Sequence, residues 1–167
     1  MLSDIADIAV SDQDFTFTFA DPLPSDGTPG TFTLTLDGDF SENNTRVEFA
    51  TLTFGGIVGN LVVDFEGFVN DIPGLSITSF VRNEKDPQDV RLTLEAGVTA
   101  TLLSDLLSGG SFEVNLDLAV GVDSTDVADA DFVAVALQYE SIPLPASLPM
   151  LLGALGAAAF VGRRRSS

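Results

Sequence analysis

The groups that could do chemistry in this chain are carboxylates. Among its 167 residues are 25 Asp and Glu, and no histidine or cysteine. Lacking imidazole and thiolate, the chain has no disulfide, thiol nucleophile, Ser-His-Asp or Cys-His arrangement, or ordinary zinc site. What remains is hard-cation binding, or acid–base work by a carboxylate pair. Residues 123–131 place Asp123, Asp126, Asp129 and Asp131 in one short loop, and Asp37 and Asp39 form a second acidic pair. Calcium takes about six to eight oxygens, which adjacent loops of a β-sandwich can supply. Neither segment has the alternating donors, central Gly and closing Glu of an EF-hand loop, so the alternative is a solvated acidic loop. A glycosidase needs two carboxyl groups about 5 to 9.5 Å apart in a cleft, normally with aromatic platforms for the sugar. With no tryptophan and Tyr139 as the one tyrosine, a carboxylate hydrolase is the weakest reading, and the chain is expected not to be an enzyme.

The charge is unevenly spread. All the acidic residues lie at or before Glu140, while three of the seven basic residues are Arg163, Arg164 and Arg165. Residues 1–140 hold four basic and 25 acidic residues, a net −21. Such a field repels phosphate backbones, so nucleic acid is not an expected partner. It also attracts cations and opposes self-association, which suits a salty extracellular medium as well as an ordinary acidic surface. The sequon Asn43-Asn44-Thr45 reads as a polar turn. Gly55, Gly56 and Gly59 lack the Lys and helix start of a phosphate cradle and read as a loop.

The length suits one domain with an appendage. Phe15, Phe17 and Phe19 alternate with Asp14, Thr16 and Thr18, and Phe32, Leu34 and Leu36 alternate with Thr31, Thr33 and Thr35. That is the period of strands buried on one face. Phe112, Val114, Leu116, Leu118 and Val120 repeat the pattern, and Val133, Val135, Leu137 and Tyr139 give a last strand. Shorter strands are expected over residues 61–65, 75–81 and 90–95. In residues 46–54 Val47 and Phe49 differ in parity from Leu52 and Phe54, so the strand is either bulged, the expected case, or buried on both faces. Val98, Leu102, Leu103, Leu106 and Leu107 have near-helical spacing stopped by Gly109-Gly110, which predicts a helix or helical turn, the alternative being another strand. About eight strands with turns between them predict an all-β domain over residues 1–140, an antiparallel two-sheet sandwich or jelly roll.

The C-terminal segment is different in kind. No charged side chain occurs from Ser141 to Gly162. A helix from Leu148 to Arg165, capped by Ser147, would measure about 27 Å, near the lower limit for crossing a bilayer. The expected organisation is a Pro-containing motif over 141–147, a transmembrane helix over 148–162 and a basic end over 163–167. Basic residues stay cytoplasmic, which places residues 1–140 outside the membrane. Gly153 and Ala157 have the small-xxx-small spacing of helix pairs, a spacing also common in any helix rich in small residues.

Ile142-Pro143-Leu144-Pro145-Ala146-Ser147, then an apolar helix, then Arg163-Arg164-Arg165, resembles a PEP-CTERM sorting signal, and more narrowly its Val-Pro-Leu-Pro-Ala subclass. The resemblance covers residues 141–167. It implies Sec export, temporary anchoring in the inner membrane, recognition by a membrane-embedded exosortase and cleavage near the Pro-containing motif, with members commonly linked to exopolysaccharide and biofilm. Two features depart from the pattern: Ile142 stands for valine, and residues 1–10 contain Asp4 and Asp7 with no basic n-region or apolar h-region. Either the true start of translation lies upstream of Met1, which is the expectation, or export uses another route. On this reading the chain is a non-enzymatic envelope or matrix protein that reaches the cell surface or extracellular matrix. Its expected partners are an exosortase, the membrane before processing, and extracellular polysaccharide. The alternatives are a calcium-dependent or carbohydrate-binding extracellular module and, more weakly, a secreted carboxylate-based hydrolase.

Overall fold

The computed structural model describes residues 1–10, 12–40, 48–84, 89–122 and 131–142. Over these residues ten strands and one helix follow in order: β1 (Leu2–Asp7), β2 (Asp14–Ala20), β3 (Gly30–Gly38), β4 (Phe49–Phe54), β5 (Leu61–Asp64), β6 (Gly67–Asn70), β7 (Leu75–Glu84), β8 (Val90–Val98), α1 (Ala100–Leu107), β9 (Ser111–Leu118) and β10 (Phe132–Gln138). One sheet has the order β1-β10-β3-β8-β7 and the other β2-β9-β4-β5-β6. Every pairing among them is antiparallel. The sheets form a sandwich, as alternation along the strands requires.

Register explains how the core is built. On the inner face Phe15, Phe17 and Phe19 stand opposite Leu116, Val114 and Phe112, and Leu34 stands between Val135 and Leu94. These side chains are all buried. Phe19 stacks on Phe112 at 4.9 Å between ring centroids, and Phe32 of one sheet meets Phe54 of the other edge-on at 5.2 Å. Burying one such side chain stabilises the fold by about 1.5 to 3 kcal/mol relative to leaving it exposed. The edge strands β6 and β7 are joined where Phe68 meets Phe80 at 5.8 Å. Nearby, the Arg82 guanidinium lies 3.9 Å from the Phe65 ring centroid and donates to the Phe65 carbonyl.

The expected helix is present but shorter, because Val98 belongs to β8 and Thr99 caps α1 by accepting from the Leu102 amide. Leu102, Leu103 and Leu106 face the core. The bulge expected in residues 46–54 does not occur over the described part. β4 keeps one register against β5 and β9, because the small Ala50 takes the inward position ahead of Leu52 and Phe54. A register shift occurs in β7 instead, between Ile77 and Ser79. Strands β1 and β6 exceed the expected eight. Among the described residues no helix is long and apolar enough to cross a membrane, and the expected span over 148–162 lies outside them.

The sandwich has two distinct ends. At one, β1, β3 and β7 finish while β8 and β10 begin; at the other, β3 begins, β10 finishes and α1 packs.

Replacing Leu34 by Ala should destabilise the protein by about 2 to 5 kcal/mol, because its neighbours on both flanking strands cannot close the cavity. The outward Thr33→Ala should stay within about 0.5 kcal/mol. Denaturant unfolding with fluorescence or circular dichroism measures both, and equal effects would contradict the assignment of faces.

Candidate functional site

Three strand ends bring carboxylates together at the end of the sandwich where β3 finishes. Asp37 lies in β3 opposite Arg91 of β8 and Phe132 of β10. Its carboxylate is 1% exposed and accepts both the Nε (3.1 Å) and the Nη2 of Arg91, whose guanidinium sits 5.3 Å from the Phe132 ring centroid. A buried carboxylate needs such a partner, since isolated burial of the charge is costly. Asp39 follows β3 and is half-buried. Asp89 and Asp131 directly precede β8 and β10 and are buried at 3% and 1% exposure. The Asp131 carbonyl also accepts the Ile8 amide at 2.8 Å, tying the end of β1 to the start of β10.

Of the residues expected to hold a cation, Asp37 and Asp39 therefore lie with Asp131 at one end, with Asp37 engaged by Arg91. Asp123, Asp126 and Asp129 lie outside the described residues, as do Asn43, Asn44 and Thr45. Among the described residues no group of three or more carboxylates is arranged to hold a metal ion. Gly55 and Gly56 lie in the turn after β4, and a Cβ on Gly59 would come within 2.5 Å of the Asp71 carbonyl oxygen, so this glycine serves a close chain crossing. A groove of about 370 Å³ beside it, lined by Val58, Pro73, Thr99 and Leu102, carries one carboxylate, Asp105.

The second sheet adds a like-charged group at the same end. Asp14 and Asp117 stand directly opposite each other on β2 and β9, and Asp12 lies two residues ahead with φ of 57°. Loss of solvation, followed by the negative charges of Asp14 and Asp12, raises the Asp117 carboxyl above its ordinary value. The opposing residue on β4 is the uncharged Thr51. Nothing in the order of residues announces this cluster, because the register that opposes Asp14 to Asp117 joins residues far apart in the chain.

The other end of the sandwich holds the last described residues, Tyr139 to Ile142. Tyr139 donates its hydroxyl to the Leu23 carbonyl at 2.8 Å, and burial raises its phenol above the ordinary value. Ser141 forms a bridge with Ser25, flanked by Asp26 N–H to Glu140 carbonyl (3.1 Å) and Ile142 N–H to Pro24 carbonyl (2.9 Å). Asp26 also accepts from the Thr28 hydroxyl and amide, and these two bonds, the hydroxyl first, hold its carboxyl below the usual range. Ile142, the one sorting-motif residue described, is half exposed at 51%. Pro143, Leu144, Pro145, Ala146, Ser147, Arg163, Arg164 and Arg165 lie outside the described residues.

Because the folded Asp117 binds its proton more tightly than the unfolded one, it costs stability as pH rises through its titration. Asp117→Asn should therefore raise stability at pH 7 and low salt by about a few tenths of a kcal/mol, small because the site is solvent-screened. The gain should vanish at pH 3, and about 1 M salt, where the Debye length is roughly 3 Å, should remove its Coulombic part and leave the part due to lost solvation. Thermal melts across pH and salt read it, and a loss of stability at pH 7 would contradict the repulsion.

No protein-family model matches the chain, and no curated protein matches it in sequence.

Proposed function

We propose that the chain is an exported bacterial surface or matrix protein, non-enzymatic, whose C-terminal segment is a sorting address removed by an exosortase. The observation that carries this reading is the charge-free segment from Ser141 to Gly162, closed by Arg163, Arg164 and Arg165, which follows a two-sheet domain. The last strand of that domain, β10, ends at Gln138 at the end of the sandwich where α1 packs. The tail thus starts at one end of the sandwich, while Asp37, Asp89 and Asp131 gather at the other. β3, at nine residues, separates these ends by about 30 Å. A domain tethered through its tail would present the carboxylate-rich end away from the bilayer. Arg163, Arg164 and Arg165 would stop complete translocation.

We read the connectivity as a jelly roll. The order β1-β10-β3-β8 facing β2-β9-β4-β5 is that of two interlocked Greek keys, extended at one side by β6 and β7. Lectin domains use this architecture, although a shared fold alone assigns no ligand.

A second reading, a calcium-dependent or carbohydrate-binding module, rests on Asp37, Asp39, Asp89 and Asp131 lying at strand ends on one side of the sandwich, although no three of the described carboxylates are arranged to hold a metal ion. It predicts that calcium at 100 times its dissociation constant stabilises the protein by about 2.7 kcal/mol, reversed by chelation. An unchanged melting temperature in millimolar calcium would exclude the calcium-dependent form.

The leading reading is checked by expressing the full chain behind an export signal, with an active exosortase of the matching subclass. Mass spectrometry should find a new C-terminus near residues 143–147, and replacing Arg163, Arg164 and Arg165 together should impair retention and processing. A mature surface protein still ending at Ser167 would contradict it.

A further inference from the structure

We infer that the last residues of the domain form a latch that keeps the sorting segment short, and that processing requires this latch to open. The inference rests on the sorting reading and adds a regulation to it.

The latch is built on a loop already fixed by its own sequence. Pro22 and Pro24 each restrict φ. Ser25 Oγ accepts the Gly27 amide at 3.1 Å, and Asp26 Oδ1 accepts the Thr28 amide at 2.9 Å and hydroxyl at 2.6 Å. Against this loop the chain is held by three bonds: Tyr139 hydroxyl to Leu23 carbonyl, Asp26 amide to Glu140 carbonyl, and Ile142 amide to Pro24 carbonyl. Tyr139 also packs on the core, and Gly30 leaves room beside it, since a Cβ there would stand 2.8 Å from the Gln138 carbonyl oxygen.

Chain geometry makes the consequence quantitative. Five residue-to-residue steps lead from Ile142 to Ser147, and a fully extended chain spans at most about 3.3 to 3.6 Å per step. With the latch closed, Ser147 is therefore within about 17 Å of the domain. Releasing residues 139–142 adds four residues, and the reach becomes about 31 Å. A membrane-embedded protease cutting near the bilayer boundary must either work against the domain or wait for that release. The three bonds sit at the rim of the fold, where local opening is easiest.

Ser25 and Ser141 allow a direct test. The flanking bonds make them a non-hydrogen-bonded antiparallel pair, with Cα atoms about 4.5 Å apart, a separation that a disulfide spans. The chain has no cysteine of its own, so Ser25→Cys with Ser141→Cys adds a single lockable pair. Full-length protein in membranes carrying the exosortase is followed for loss of its tail, with and without reductant. The oxidised form should be processed at least about tenfold more slowly than the reduced form, and inserting Gly-Ser-Gly-Ser after Ile142 should restore the oxidised rate. Tyr139→Phe, which removes one bond and keeps the ring, should speed processing by roughly three- to tenfold, the range set by one lost hydrogen bond. Its effect should disappear when the insertion is present. Equal rates for oxidised and reduced protein would overturn the latch and leave the sorting reading standing. A tail that stays on the wild-type chain and on every variant would overturn the sorting reading, and the latch with it.

Discussion

Phe32 and Phe54 meet edge to face between the two sheets, and the interlocking of those two inner faces is the constraint on which everything else depends. Once Phe32, Leu34 and Leu36 point inward, Thr31, Thr33 and Thr35 must point outward, because successive side chains of a strand alternate. A slip of one residue would exchange the two sets, so burial fixes the register. Register in turn decides which carboxylates are neighbours. Asp37 meets Arg91, and Asp14 meets Asp117, because the inward residues beside them admit no other pairing.

The two ends follow from the same constraint. Antiparallel strands start and stop at shared edges, so residues that precede or follow strands collect in two places. One collects Asp37, Asp39, Asp89 and Asp131, together with Asp12, Asp14 and Asp117 of the second sheet. The other collects α1, the loop from Pro22 to Thr28 and the segment from Tyr139 to Ile142 that is bonded to it. A strongly negative net charge, −18 over the chain, opposes association between such bodies at a cost in self-repulsion within each. The Asp37–Arg91 pair relieves part of that repulsion where a carboxylate is buried.

Much of this architecture is legible in the sequence. β2, β3, β9 and β10 follow from strict apolar alternation, and α1 from the spacing of its leucines. β1 is not legible, because Leu2–Asp7 is an edge strand held through backbone pairing with β10, and most of its side chains face solvent. The parity of β4 misleads because Ala50 is small enough to pass for a surface residue. Asp89 and Asp131 give no sign of burial, since charge ordinarily predicts exposure. The latch at Ser141 consists mostly of main-chain bonds, which leave no trace in side-chain types. Tyr139 stands out by its side chain, but its hydroxyl partner, the Leu23 carbonyl, lies 116 residues away.

The central proposal is that residues 143–167 are a sorting address and not part of the domain's fold. Equilibrium denaturation of residues 1–142 beside the full chain, both in the same mild detergent, tests it most directly. Equal midpoints and slopes, with free energies of unfolding within about 0.5 kcal/mol, are the predicted result, since the slope reports the surface exposed on unfolding. A loss of several kcal/mol, or a smaller slope, on removing residues 143–167 would show that the tail is part of the core and contradict the account.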